Sequence, residues 1–77
     1  MSDTKRFTFE VDNEVGALER VLSVARRRGL EIEKVVVEAR GPRLAVEIRA
    51  GGPASEVTLA MAQWSALVDV RRATMEE

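Results

Sequence analysis

The chain has 77 residues, 12 Lys and Arg against 13 Asp and Glu for a formal net charge of -1, and neither Cys nor His. That length holds one small domain, whose core rarely supplies more than about 3–5 kcal/mol of net stability. Disulfides are excluded, the usual zinc ligands are missing, and the balanced charge argues against strong non-specific binding to nucleic acid, so association with itself or another chain is the expected support.

The N-terminus is polar (Ser2, Asp3, Thr4, Lys5, Arg6), so no signal peptide is expected. No apolar stretch is long enough to span a bilayer. The expectation is a soluble cytoplasmic protein forming one domain over residues 1–77, with its core elements between about 5 and 74. Phe7, Phe9 and Val11 then alternate with Thr8 and Glu10, the period of a half-buried strand. Asp12 to Gly16 breaks the alternation. Asn13 is placed to cap a helix, and Gly16 allows close approach of backbone or ligand. From Ala17 the period becomes helical: Leu18, Val21, Leu22 and Ala25 share one face, while Glu19, Arg20, Ser23, Arg26 and Arg27 share the other. Arg26, Arg27 and Arg28 complement the helix dipole in the last turn, and Gly29 is the expected C-terminal cap.

A second strand is predicted from about Leu30 to Ala39. Its alternation slips, with Leu30 and Ile32 in one phase and Val35 and Val37 in the other, which a bulge or bend near Glu33 or Lys34 would explain. The continuous run Val35-Val36-Val37 suggests instead burial on both faces by a partner. Arg40-Gly41-Pro42 is a turn signal. Leu44, Val46, Ile48 and Ala50 alternate cleanly with Arg43, Ala45, Glu47 and Arg49 in a third strand, ended by Gly51-Gly52-Pro53. Pro53 suits a first helical position, and Val57, Ala60, Met61, Trp64 and Leu67 give the helix 53–67 one apolar face. Val68 and Val70 alternate with Asp69 and Arg71 in a short last strand, and Thr74 to Glu77 is expected to fray.

The order β-α-β-β-α-β predicts an α+β, ferredoxin-like fold: a four-stranded antiparallel sheet with both helices on one face. Fold alone does not give function. No catalytic dyad or metal set is present, but backbone N–H groups at the start of the first helix, beside Gly16, offer a place for the carboxylate of a free amino acid. Phe7 and Phe9 could stack on RNA, but the opposing strand has no aromatic and the matching RNA-binding pattern is absent, so core packing is expected of them and of Trp64. The three consecutive arginines from Arg26 read as a solvated helix end.

The segment Asn13-Glu14-x-Gly16-Ala17-Leu18-x-Arg20-Val21, followed by Arg28-Gly29-x-x-Ile32, resembles the ACT domain of acetolactate (acetohydroxyacid) synthase small subunits, where it typically runs N-E-x-G-A-L-x-R-V and then R-G-x-N-I. Val46-Glu47-Ile48 before a Pro-started helix, and then Leu67-Val68-Asp69-Val70, look like the short subunit of the isozyme II type. The resemblance implies a non-catalytic subunit that activates a large catalytic subunit in branched-chain amino acid synthesis. It places thiamine diphosphate, Mg and FAD on that large subunit and no cofactor on this chain. It also implies a homodimer, with an effector held between the first β-α loop of one protomer and the start of the second strand of the other. Carried over, the effector-binding residues are Asn13, Val15, Gly16, Ala17 and Leu18 on one side and Glu31 and Ile32 on the other.

Two departures bear on feedback inhibition. The second-strand Asn of valine-sensitive members is Glu31 here, and an ionised Glu only accepts hydrogen bonds. The further C-terminal domain of the longer valine-sensitive form also has no counterpart in this sequence. Two other readings stand beside this one. A free-standing ACT sensor that binds a small effector at a dimer interface fits the same residues. An acylphosphatase-type enzyme on the same fold needs an Arg in the loop after the first strand, where this chain has Asp12-Asn13-Glu14-Val15-Gly16.

Overall fold

The computed structural model describes residues 4–76. The polar N-terminal Ser2 and Asp3, and Glu77 of the tail expected to fray, lie outside the described residues. The elements are β1 (Thr4–Asp12), α1 (Ala17–Arg27), β2 (Glu31–Arg40), β3 (Arg43–Gly51), α2 (Ala54–Ala66) and β4 (Val70–Glu76). They form one antiparallel sheet in the order β2-β3-β1-β4. This is the ferredoxin-like βαββαβ arrangement expected from the periodicity.

The core follows from the alternation of the two inner strands. Phe7, Phe9 and Val11 of β1 and Val46, Ile48 and Ala50 of β3 are buried together. Their directly opposed positions, Phe7 with Ile48 and Phe9 with Val46, put these side chains on one sheet face. Trp64 of α2, fully buried, lies against both phenylalanines with ring centroids 4.9 and 4.8 Å apart and tilts of 56° and 60°. Its Nε1 donates to the Val21 carbonyl of α1 at 2.8 Å. The one indole therefore joins both helices to the sheet and satisfies its own polar atom.

Several boundaries and faces differ from those expected. Asn13 does not cap α1: Gly16 occupies the N-cap with φ 84°, and no side chain caps that end. The Asn13 amide instead donates to the Pro42 carbonyl at 3.1 Å, because a turn through Glu14 and Val15 delays the helix. The buried face of α1 is Ala17, Val21, Val24 and Ala25, with Leu18 and Leu22 only partly covered. The apolar arc is wide, and packing against Trp64 turns its smaller residues inward. Gly29 does close the helix, with φ 71° and its amide on Arg26, while Leu30 donates back to Ala25, the paired bonds of a Schellman ending. Pro53 is the N-cap of α2 rather than its first turn, and Leu67 is already extended.

The last strand differs most. Val68 is 87% exposed in a turn, and β4 instead spans Val70–Glu76, including the residues expected to fray. Backbone pairing to β1 holds it, from Val11 with Val70 to Arg6 with Glu76, across a bulge where Arg72 takes φ 55°. That irregularity destroys the alternation a sequence reading depends on. In β2 the expected slip is present as a register shift between Ile32 and Lys34. Within the single chain the valines are only half covered. Val35, Val36 and Val37 are 38%, 37% and 38% exposed, because β2 is an edge strand.

The sheet face away from the helices is charged. Arg43 and Arg72 flank Glu10 at 3.5 and 3.7 Å, and Arg43 and Arg71 flank Asp12 at 3.7 and 3.3 Å. Such exposed pairs contribute little each, but they keep the face wet. No helix among the described residues is long and apolar enough to cross a membrane.

Candidate functional site

The β1–α1 loop owes its shape to Gly16. Glu14 donates to Asp12 and Ala17 donates to Glu14, closing a tight turn, and the positive φ of Gly16 then directs the chain into α1. Ala17 is buried against the core and Leu18 is half-buried, while Asn13 is exposed and Val15 is 100% exposed. The first-turn amides of Leu18 and Glu19 therefore point outward from an end that no side chain caps. A small anionic group meets donors and the positive end of a dipole there.

A second feature is not legible in the sequence. Arg20, one turn into α1, folds back across Gly16 and pairs with Asp69 in the α2–β4 turn. Its Nε donates to Asp69 Oδ2 at 3.0 Å, and Nη2 approaches the same oxygen. Asp69 is only 9% exposed, and its carbonyl accepts the Asp12 amide at 2.8 Å. A Cβ on Gly16 would lie 3.1 Å from Arg20 Nη1. The missing side chain at Gly16 thus leaves room for the arginine that braces the loop. Periodicity places Arg20 only on the polar face of its helix, and Asp69 only at an outward strand position. Nothing local links residues 49 positions apart.

The seven carried-over residues do not converge within one chain. Asn13, Val15, Gly16, Ala17 and Leu18 are contiguous at the end of the sheet beside the β2–β3 turn, since Asn13 bonds to Pro42. Glu31 and Ile32 pair with Gly51 and Ala50 at the opposite end. The strand rises about 3.3 Å per residue, so the two groups are on the order of 30 Å apart. Ile32 is partly buried under the core and Glu31 is exposed. Concavities of about 460 and 310 Å³ lie elsewhere, one at Thr4, Arg6, Glu33, Arg49 and Glu76 and another on the charged face around Ala45. Among the described residues no group of three or more His, Cys, Asp or Glu is arranged to hold a metal.

Comparison with known proteins gives a consistent picture. The family model described as the ACT domain matches residues 13–73. No curated protein matches the chain. The ACT domain from GTP pyrophosphokinase of Chlorobium tepidum superposes with a TM-score of 0.82 at 10% identity, covering 97% of this chain and 99% of that one. A homoserine dehydrogenase from Thiobacillus denitrificans gives 0.82 at 13% identity, over 99% of this chain and 17% of its own length. The regulatory subunit of aspartate kinase from Thermus thermophilus gives 0.76 at 16% identity, over 99% of this chain and 52% of its own. At such identities these structures are alike in fold.

Proposed function

This chain belongs to the ACT domain family, and from that premise we propose that it is the non-catalytic regulatory small subunit of an acetolactate synthase, acting as a homodimer joined along β2. The observation that carries the regulatory reading is the split site. An uncapped helix start with a glycine loop lies at one end of the sheet, and Glu31 and Ile32 lie at the other end of an unpaired edge strand. Two copies paired along that edge bring the halves together, and a small amino acid fits the chemistry of the loop end. The choice of acetolactate synthase is supported by the motif from Asn13 to Val21 with Arg28-Gly29 and Ile32. In this reading thiamine diphosphate, Mg and FAD belong to the large catalytic subunit, with which this chain acts in the cytoplasm.

Mixing the chain with an acetolactate synthase large subunit tests the assignment. The chain alone is expected to show no synthase activity, and its addition is expected to raise the large subunit's turnover and to form a complex that survives gel filtration. Absence of both stimulation and complex would favour the free-standing sensor. That second reading draws on the fold neighbours, which include domains of a GTP pyrophosphokinase and an aspartate kinase regulatory subunit.

Valine inhibition of the reconstituted enzyme is expected to be weak or absent. Glu31 would set a carboxylate against the carboxylate of valine, and like charges about 4 Å apart cost on the order of 4 kcal/mol at an effective dielectric near 20. Glu31→Asn is therefore expected to improve valine binding in calorimetric titration, with leucine and isoleucine as comparisons. Tight valine binding by the unmodified chain, unaltered by the substitution, would place the effector elsewhere.

A further inference from the structure

We propose that two copies of this chain pair along β2 in one particular antiparallel register, with Val36 on the two-fold axis and Lys34 of each copy facing Glu38 of the other. This rests on the homodimer reading above and adds the contacts that select its geometry.

The sheet assigns each β2 residue to a face. Lys34, Val36 and Glu38 oppose Arg49, Glu47 and Ala45 on the charged face, whereas Val35 and Val37 oppose the buried Ile48 and Val46 on the helix face. Directly opposed residues in an antiparallel pair share a face. If the helices of both copies lie on the same side of a joined sheet, the two-fold axis must therefore pass through a residue. An axis through Val35 sets Lys34 against Val36, charge against valine. An axis through Val37 sets Lys34 against Arg40, a like pair, and Val36 against Glu38. An axis through Val36 gives Lys34 with Glu38 twice, Val35 with Val37 twice, and Val36 with itself. Helices on opposite sides are not open to an antiparallel pair, because reversing both strand direction and face leaves the two free edges pointing the same way.

Two features of the single chain favour the Val36 register. Lys34 faces Arg49 across the inner pair, a like-charge contact, while Arg49 itself is paired with Glu47 on its own strand. Among the described residues Glu38 is held only by Arg40 at 3.2 Å, two positions along the same strand and exposed. Each charge gains a partner in the second copy at little loss. The register shift lies between Ile32 and Lys34, so the self-complementary segment from Lys34 to Glu38 is regular. Beyond the register shift, where Glu33 is the extra residue, Ile32 of one copy comes beside Ala39 of the other on the helix face and Glu31 beside Arg40, with Gly41 next in the turn. Pro42 follows, and its carbonyl accepts the Asn13 amide. One register thus satisfies the charges and sets Glu31 beside the β2–β3 turn of the second copy, the turn to which the Asn13 backbone is bonded.

The chain has no cysteine, so single-cysteine variants report the axis directly. Directly opposed Cα atoms lie about 4.5–5.5 Å apart, within disulfide reach, while diagonal neighbours about 7–8 Å apart are not. Val36→Cys is expected to give a disulfide-linked dimer on mild oxidation. Val35→Cys and Val37→Cys are each expected to stay monomeric on denaturing gels, but to cross-link when mixed. Lys34→Glu and Glu38→Lys are each expected to weaken self-association by about tenfold, from two pairs turned repulsive, and the double variant to regain wild-type affinity within about threefold. Cross-linking of the Val35→Cys or the Val37→Cys variant by itself, or a double charge variant no better than the singles, would overturn the register while leaving the homodimer standing. A monomer by sedimentation at micromolar concentration, with no cross-link at any of the three positions, would remove the homodimer itself.

Discussion

Trp64→Ala is expected to leave the isolated chain largely unfolded. The indole is fully buried, lies against Phe7 and Phe9 with centroids within 4.9 Å, and donates to the Val21 carbonyl. Removing a buried Trp typically costs about 3–5 kcal/mol, which matches the entire stability expected of so small a core. The cost is spread over the whole fold, because this side chain is where α1, α2 and β1 meet. Trp64→Phe keeps a ring between the two phenylalanines and loses only the hydrogen bond and part of the volume. It is expected to cost about 1–2 kcal/mol and to remain folded. Far-UV circular dichroism with urea titration separates the two, and Trp64→Ala unfolding at the wild-type midpoint would mean that the core is held some other way.

Gly16→Val is expected to cost about 2–3 kcal/mol and to loosen the loop that carries the candidate site. Two effects add. Gly16 has φ 84°, a conformation that a β-branched residue adopts only under strain. Its Cβ would also meet Arg20 Nη1 at 3.1 Å, so the guanidinium must give by a few tenths of an ångström, which strains its pairing with Asp69. Asp69 is then left nearly buried with a weakened partner. Gly16→Asn separates the contributions, since Asn tolerates positive φ but still crowds the arginine. Urea unfolding of both variants and of Arg20→Met is the measurement. A Gly16→Val midpoint equal to that of the wild-type chain would show that neither the backbone nor the brace matters there.

The clean alternation of Phe7, Phe9 and Val11 and of Leu44 to Ala50 is enough to define the two central strands, because residues between two neighbours keep strict period two. Trp64 is recognisable as core from its spacing to Val57 and Ala60. β4 is not legible at its true length because the Arg72 bulge removes the period, and that strand exists through its pairing to β1 rather than through its own pattern. The helix faces are legible to within one residue column, and their rotation is set by the indole they enclose.

The candidate site divides in the same way. The sequence by itself determined which residue types could serve: a glycine ahead of a helix, with outward amides and a motif that resembles one family. It also determined the self-complementary order Lys34-Val35-Val36-Val37-Glu38, although that order has meaning only on a strand whose far side is unpaired. Only the tertiary structure decided that Arg20 crosses Gly16 to reach Asp69, and that Glu31 and Ile32 lie at the end of the sheet away from Asn13. The reason is physical. Periodicity and turn chemistry act between near neighbours in sequence, whereas strand order, an ion pair across 49 residues and the separation of two half-sites follow from how the whole chain closes around one core.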